Sequence, residues 1–107
     1  MNPRSVAMSP DEARAKLDEF RVLIDDVDRR IVALLNERTR TVEEIGRVKR
    51  CAALPIYEPK REDQVFANIS EANQGPLTTG AVKRIFERII DEMRTIQRLR
   101  MQSDGDK

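Results

Sequence analysis

Histidine and tryptophan are absent from this chain, and cysteine occurs once, as Cys51. Lacking histidine, the protein is without the commonest general base and metal ligand. A lone cysteine excludes an intramolecular disulfide framework and a cysteine-rich metal centre, and it fits a reducing compartment. No apolar run is long enough to cross a bilayer. The opening MNPRSVAMSPDEARAK lacks the continuous apolar core of a secretory signal. Neither sign of charge prevails, since 20 basic residues face 19 acidic ones. No net field therefore argues for nucleic acid or an anionic membrane, and aromatics at 4% offer little for base stacking. These absences predict a cytoplasmic protein that uses neither metal nor thiol chemistry.

What is present is charge, at 36% of 107 residues, laid over a strict apolar pattern. Residues 1–8 read as a loose tail. Ser9-Pro10-Asp11-Glu12 is a helix start, with a capping serine, proline in the first turn and acids behind it. From there Leu17, Phe20, Ile24, Val27, Ile31, Leu34/Leu35, Val42 and Ile45 recur in steps of three and four. That seam predicts one helix from about residue 10 to 50, roughly 60 Å long at 1.5 Å per residue. A compact domain of this size has a radius of gyration of about 13 Å. Such a helix would carry its apolar seam into water unless a second copy covered it, which predicts an intertwined homodimer.

Cys51 to Tyr57 reads as a connection. Pro59 opens a second helix with Glu58 as its flanking cap and Val65, Phe66, Ile69 and Ala72 as its buried face. Asn73-Gln74-Gly75-Pro76 ends it. A third helix is predicted from about Thr78 to Gln102 on the stripe Val82, Ile85/Phe86, Ile89/Ile90, Met93 and Ile96/Gln97. The domain spans 9–102, residues 103–107 read as a frayed tail, and the fold class is all-α, with no strand pattern.

The seam contains an anomaly. Continued in threes and fours, it lands on Arg38 and Lys49, eleven residues apart. They share one helix face with an offset of about 20°, separated by roughly 16 Å along the axis. Gln97 sits on the inward stripe of the third helix, four residues after Met93. Singly, each has a plain explanation: a cation snorkelling to solvent or fixing register, and an amide bonded within the core. Jointly they describe an anion pocket inside the bundle. Arg61 and Glu62 add charge at the first turn of the second helix, where backbone N–H groups favour an anion. Glu62 also reads as an ordinary first-turn acid. The residues alone leave both readings open.

The ordered set Phe20-Arg21-x-x-Ile24-Asp25-x-x-Asp28, Leu34-Leu35-Asn36-Glu37-Arg38, Ile45-Gly46-x-x-Lys49, Pro55-Ile56-Tyr57-x-Pro59-x-Arg61-Glu62 and Ile89-Ile90 followed by Gln97 resembles the all-helical, AroQ-type chorismate mutases, across about residues 14–100. The resemblance implies a three-helix protomer in an intertwined dimer, rearranging chorismate to prephenate without a cofactor. By position, Arg38 would bind one substrate carboxylate, and Arg21 of the other subunit the second. Lys49 and Gln97 would hydrogen-bond the ether oxygen, and Glu62 would hold the ring hydroxyl with backbone near Glu58. Arg61 would lie at the pocket edge. Met93 and Glu58 depart from the family pattern, where a small or hydroxylated residue and an aspartate are also found. Helix geometry agrees with the cross-subunit role, because Arg21 lies about 25 Å from Arg38 along the predicted helix and is rotated by roughly 100°. The alternatives are an isochorismate pyruvate-lyase of the same fold and a non-catalytic helical dimer.

Overall fold

The computed structural model describes residues 7–105, and side chains only as far as residue 102. The tails expected at 1–8 and 103–107 lie partly outside these residues. Among these residues three helices occur in order: α1, Pro10–Cys51; α2, Pro59–Ala72; and α3, Thr79–Gly105. No strand occurs among the described residues, so the fold is all-α as the patterning predicts. No helix among them is long and apolar enough to cross a membrane. The chain divides between Glu37 and Arg38 into two units.

The first unit carries the start of α1. Ser9 Oγ accepts the backbone N–H of Glu12 at 3.1 Å, the predicted cap, while Asp11 and Glu12 complement the positive helix end. Ion pairs one turn apart line its polar face, such as Arg14 with Asp11 at 2.9 Å and Arg30 with Asp26 at 3.3 Å. They lie in water and add little stability singly. The other face is apolar and exposed: Phe20 and Ile24 are 57% and 58% accessible in the single chain.

The second unit contains the end of α1 with α2 and α3. Helix α1 stops in a Schellman turn. Leu54 N–H bonds the Lys49 carbonyl at 2.8 Å, Ala53 N–H bonds that of Arg50 at 3.3 Å, and Ala53 takes the left-handed conformation (φ 56°). Pro59 opens α2, and Glu58 occupies the cap position, but its side chain makes no capping bond. The expectation of a Glu58 cap is thus half right, because a nearby ammonium takes the carboxylate instead. Val65, Phe66 and Ile69 are half-buried as expected, whereas Ala72 is exposed, being the last residue of the helix. Asn73 ties the next turn: its amide nitrogen donates to the Leu77 carbonyl at 2.8 Å and its oxygen accepts Gly75 N–H at 3.0 Å. Thr78 Oγ1 accepts Ala81 N–H and caps α3, which continues to Gly105, past the predicted Gln102.

Among the described side chains of α3, Ile90, Met93 and Gln97 are buried, spaced three and four residues apart. Gly46, the buried residue of α1, lies opposite. A Cβ built there would sit 3.4 Å from Gln97 Cγ, so the absent side chain lets the glutamine lie against the α1 backbone. Two buried apolar side chains among the described residues make a small core for a chain this long.

Candidate active site

The end of α1, the first turns of α2 and the middle of α3 enclose a cavity of about 250 Å³. Arg38 and Lys49 enter from α1, Glu58, Arg61 and Glu62 from the start of α2, and Met93 and Gln97 from α3. Seven of the eight residues proposed from sequence therefore line one space. The eighth, Arg21, belongs to the first unit, where it pairs with Asp18 at 3.6 Å and is largely exposed.

Lys49 is firmly anchored. Its side chain is only 13% exposed, and its ammonium lies 2.8 Å from a Glu58 carboxylate oxygen. The same ammonium donates to the Ile56 carbonyl at 3.1 Å. With its backbone carbonyl bonded to Leu54 N–H, Lys49 fixes both ends of the stretch leading into α2. Glu58, whose side chain makes no capping bond, holds this charge instead.

Arg38 is held differently. No carboxylate among the described residues pairs with it. Burial, and then the neighbouring Arg61 guanidinium, hold it below the ordinary arginine range. Arginine still keeps its proton at any physiological pH. Two guanidiniums brought together without a shared carboxylate raise the local positive potential, and an anion would relieve it. The cavity lining as a whole sets four cations, Arg38, Lys49, Arg61 and Arg94, against two carboxylates, Glu58 and Glu62. That balance suits a ligand with two negative charges.

Gln97 is 7% exposed, and its amide nitrogen donates to the Val42 carbonyl at 3.3 Å. An amide nitrogen has a second hydrogen, which this bond does not use. Met93, buried beside it, accepts a hydrogen bond from Thr39 Oγ1 on its sulfur at 3.5 Å. With Ile90, Val42 and Ile45 it gives the cavity an apolar wall. Glu43 and Glu44, which helical geometry turns from the Arg38/Lys49 face, pair with Arg100 (2.7 Å) and Arg47. They line a wider concavity of about 550 Å³. Its Arg47 and Arg100 are about 60% exposed, so water screens them.

Sequence reasoning missed Arg94, which lines the cavity and lies 3.5 Å from Glu62. The signal was present in the spacing: Arg94 follows Ile90 by four residues and precedes Gln97 by three, on the flank of the inward stripe.

Among the described residues, three helices contribute to a cation-rich, half-apolar cavity whose charge would suit a small dianion. Residues 20–98 match the family model described as "Chorismate mutase type II". The chain belongs to the type II chorismate mutase family. It is similar to the chorismate mutase of Methanocaldococcus jannaschii, at 25% identity over 86% of this chain and 94% of that protein. It is 38% identical over 80 residues to a bifunctional chorismate mutase/prephenate dehydratase of Stutzerimonas stutzeri. That match takes in 70% of this chain but only 22% of the bifunctional protein, so the chain spans about a fifth of such relatives. Among solved structures, a chorismate mutase (form II) from Thermus thermophilus superposes with a TM-score of 0.76 at 34% identity. The superposition covers 78% of this chain and 94% of the Thermus chain.

Proposed function

We propose that the chain catalyses the Claisen rearrangement of chorismate to prephenate. The observation that carries this reading is one cavity holding Arg38, Lys49 and Gln97 with an excess of two positive charges. The reaction is intramolecular: one C–O bond breaks as a C–C bond forms, and no proton, electron or leaving group is exchanged with the protein. Such a reaction asks for no general base, metal or thiol, and the chain has no histidine to offer one. What the protein supplies is a compact, chair-like hold on a flexible dianion and fixed positive charge where the ether oxygen gains electron density.

Arg38 takes one carboxylate with its planar fork of donors. Lys49, a compact cation already fixed by Glu58 and Ile56, faces the ether oxygen, and the unused N–H of Gln97 joins it. Glu62 receives the ring hydroxyl, with backbone near Glu58 assisting, and Arg61 guards the cavity edge. The second carboxylate goes to Arg21 of a second subunit. Supporting a homodimer is the exposed stripe of Leu17, Phe20, Ile24, Val27 and Ile31 in the first unit, which a solitary chain leaves in water. The lone Cys51, exposed and free, suits a cytoplasmic setting.

The test is to follow chorismate loss by ultraviolet absorbance with purified protein and identify the product. Prephenate is expected. Pyruvate released from isochorismate, with chorismate untouched, would assign the lyase reaction instead; no turnover of either would sink the catalytic reading.

A further inference from the structure

Arg94 reaches from α3 to the first turn of α2. One terminal nitrogen lies 3.5 Å from Glu62 Oε2 and the other 3.8 Å from Asp91 on its own helix. Its guanidinium carbon stands 5.6 Å from the centre of the Tyr57 ring, so the connection before α2 packs against it. Arg94 and Glu62 are each about one quarter exposed, which sets this pair apart from the solvated ion pairs elsewhere on the helices. The Arg94 Nε is buried and has no hydrogen-bond partner. A guanidinium free to turn would carry that donor into water or to an acceptor. Glu62 and Tyr57 hold it in place at the expense of one donor.

We infer that Arg94 is a positioning residue for Glu62, aiming its carboxylate at the ring hydroxyl of the substrate. This rests on the mutase reading above. Glu62 stands on the first turn of a helix with three rotatable side-chain bonds, and among the described residues Arg94 is the only cation paired with it. A carboxylate that must accept one hydroxyl in one direction gains from being fixed before substrate arrives. A plain staple between α2 and α3 would support the fold but would not distinguish substrates by that hydroxyl.

The experiment compares chorismate with the analogue in which hydrogen replaces the ring hydroxyl, using the full chain. Wild type, Arg94→Met and Glu62→Gln are measured with both compounds, together with the double variant. Wild type is expected to favour chorismate in kcat/KM by about tenfold or more, as for loss of a hydrogen bond to a charged group. Arg94→Met should shrink that preference to within about threefold, and in the Glu62→Gln background it should change turnover by less than about threefold. Arg94→Gln, which stays polar but is uncharged and too short to replace the Arg94 terminal nitrogen at Glu62, provides the same readings if the methionine variant melts below assay temperature. Equal losses on both compounds with the preference intact, or the same loss from Arg94→Met in both backgrounds, would overturn the inference while leaving the mutase reading in place. A wild type that makes no prephenate would remove both.

Discussion

The ammonium of Lys49 is shared between the Glu58 carboxylate, at 2.8 Å, and the Ile56 carbonyl, at 3.1 Å. The first partner sits at the N-terminus of α2 and the second in the connection before it. One side chain therefore fixes the cation and shapes the wall of the cavity.

Lys49→Met should expose this double duty. Losing a preorganised donor at the ether oxygen is expected to lower kcat by about 10²–10³. The loss of stability should be smaller, about 1 kcal/mol or less, because Glu58 is nearly half exposed and water screens the pair. Steady-state kinetics and a thermal melt measure the two effects. Turnover within threefold of wild type would remove Lys49 from the chemistry.

Arg38→Met should separate activity from stability in the opposite sense. The folded protein holds this guanidinium below its ordinary range, by burial and then by Arg61, so its protonated form is disfavoured relative to the unfolded chain. The penalty is present at all pH values below the lowered pKa and disappears only as pH rises through it, in the strongly alkaline range. Between about pH 5 and 9 it is constant. Removing the charge should leave the melting temperature equal to or above wild type while kcat/KM falls by about 10²–10³. A marked drop in melting temperature would mean that an unseen partner balances Arg38.

The apolar stripes of all three helices, the Ser9 cap of α1 and the cations on the α1 seam were legible in the sequence, because each follows from local spacing or from a 3.6-residue period broken by particular residues. Arg38 and Lys49 stood out for occupying positions that belong to Leu or Ile. Arg94 did not, because it lies at the flank of its stripe, where a charge reads as solvated. Only the approach of Glu62 and Tyr57 from elements distant in sequence shows that it is held. The same holds for Glu58. Preceding proline, it reads as a cap, and the competing attraction of Lys49 becomes visible only when α1 and α2 are brought together.

Gln97→Glu tests the buried amide. The amide nitrogen donates to the Val42 carbonyl, and Gly46 leaves the side chain against the α1 backbone. A carboxylate in its place would meet that carbonyl oxygen with like charge and could donate to the ether oxygen only when protonated. Activity of this variant should therefore be highest at acidic pH and fall as the introduced carboxyl ionises, whereas wild type should lack this dependence. Undiminished activity of the variant at pH 8 would show that no donor is needed from this position.

Whether Arg21 serves its own chain or a second one can be decided by mixing. Arg21→Ala and Arg38→Ala are each expected to give folded, nearly inactive proteins, since each would lack one carboxylate ligand in every site. If a two-fold dimer places Arg21 of one subunit in the site of the other, a mixed dimer restores one complete site and leaves the second doubly impaired. Random exchange makes half the dimers mixed, with one active site of two, so activity should recover to about a quarter of wild type. The exposed apolar stripe from Leu17 to Ile31 is the surface such exchange would open and close. Phe20→Glu, which sets a charge in that stripe, should prevent both the recovery and dimer formation in analytical ultracentrifugation. Recovery near zero from two variants that remain dimeric would mean that each site is built within one chain, and Arg21 would lose its assigned role.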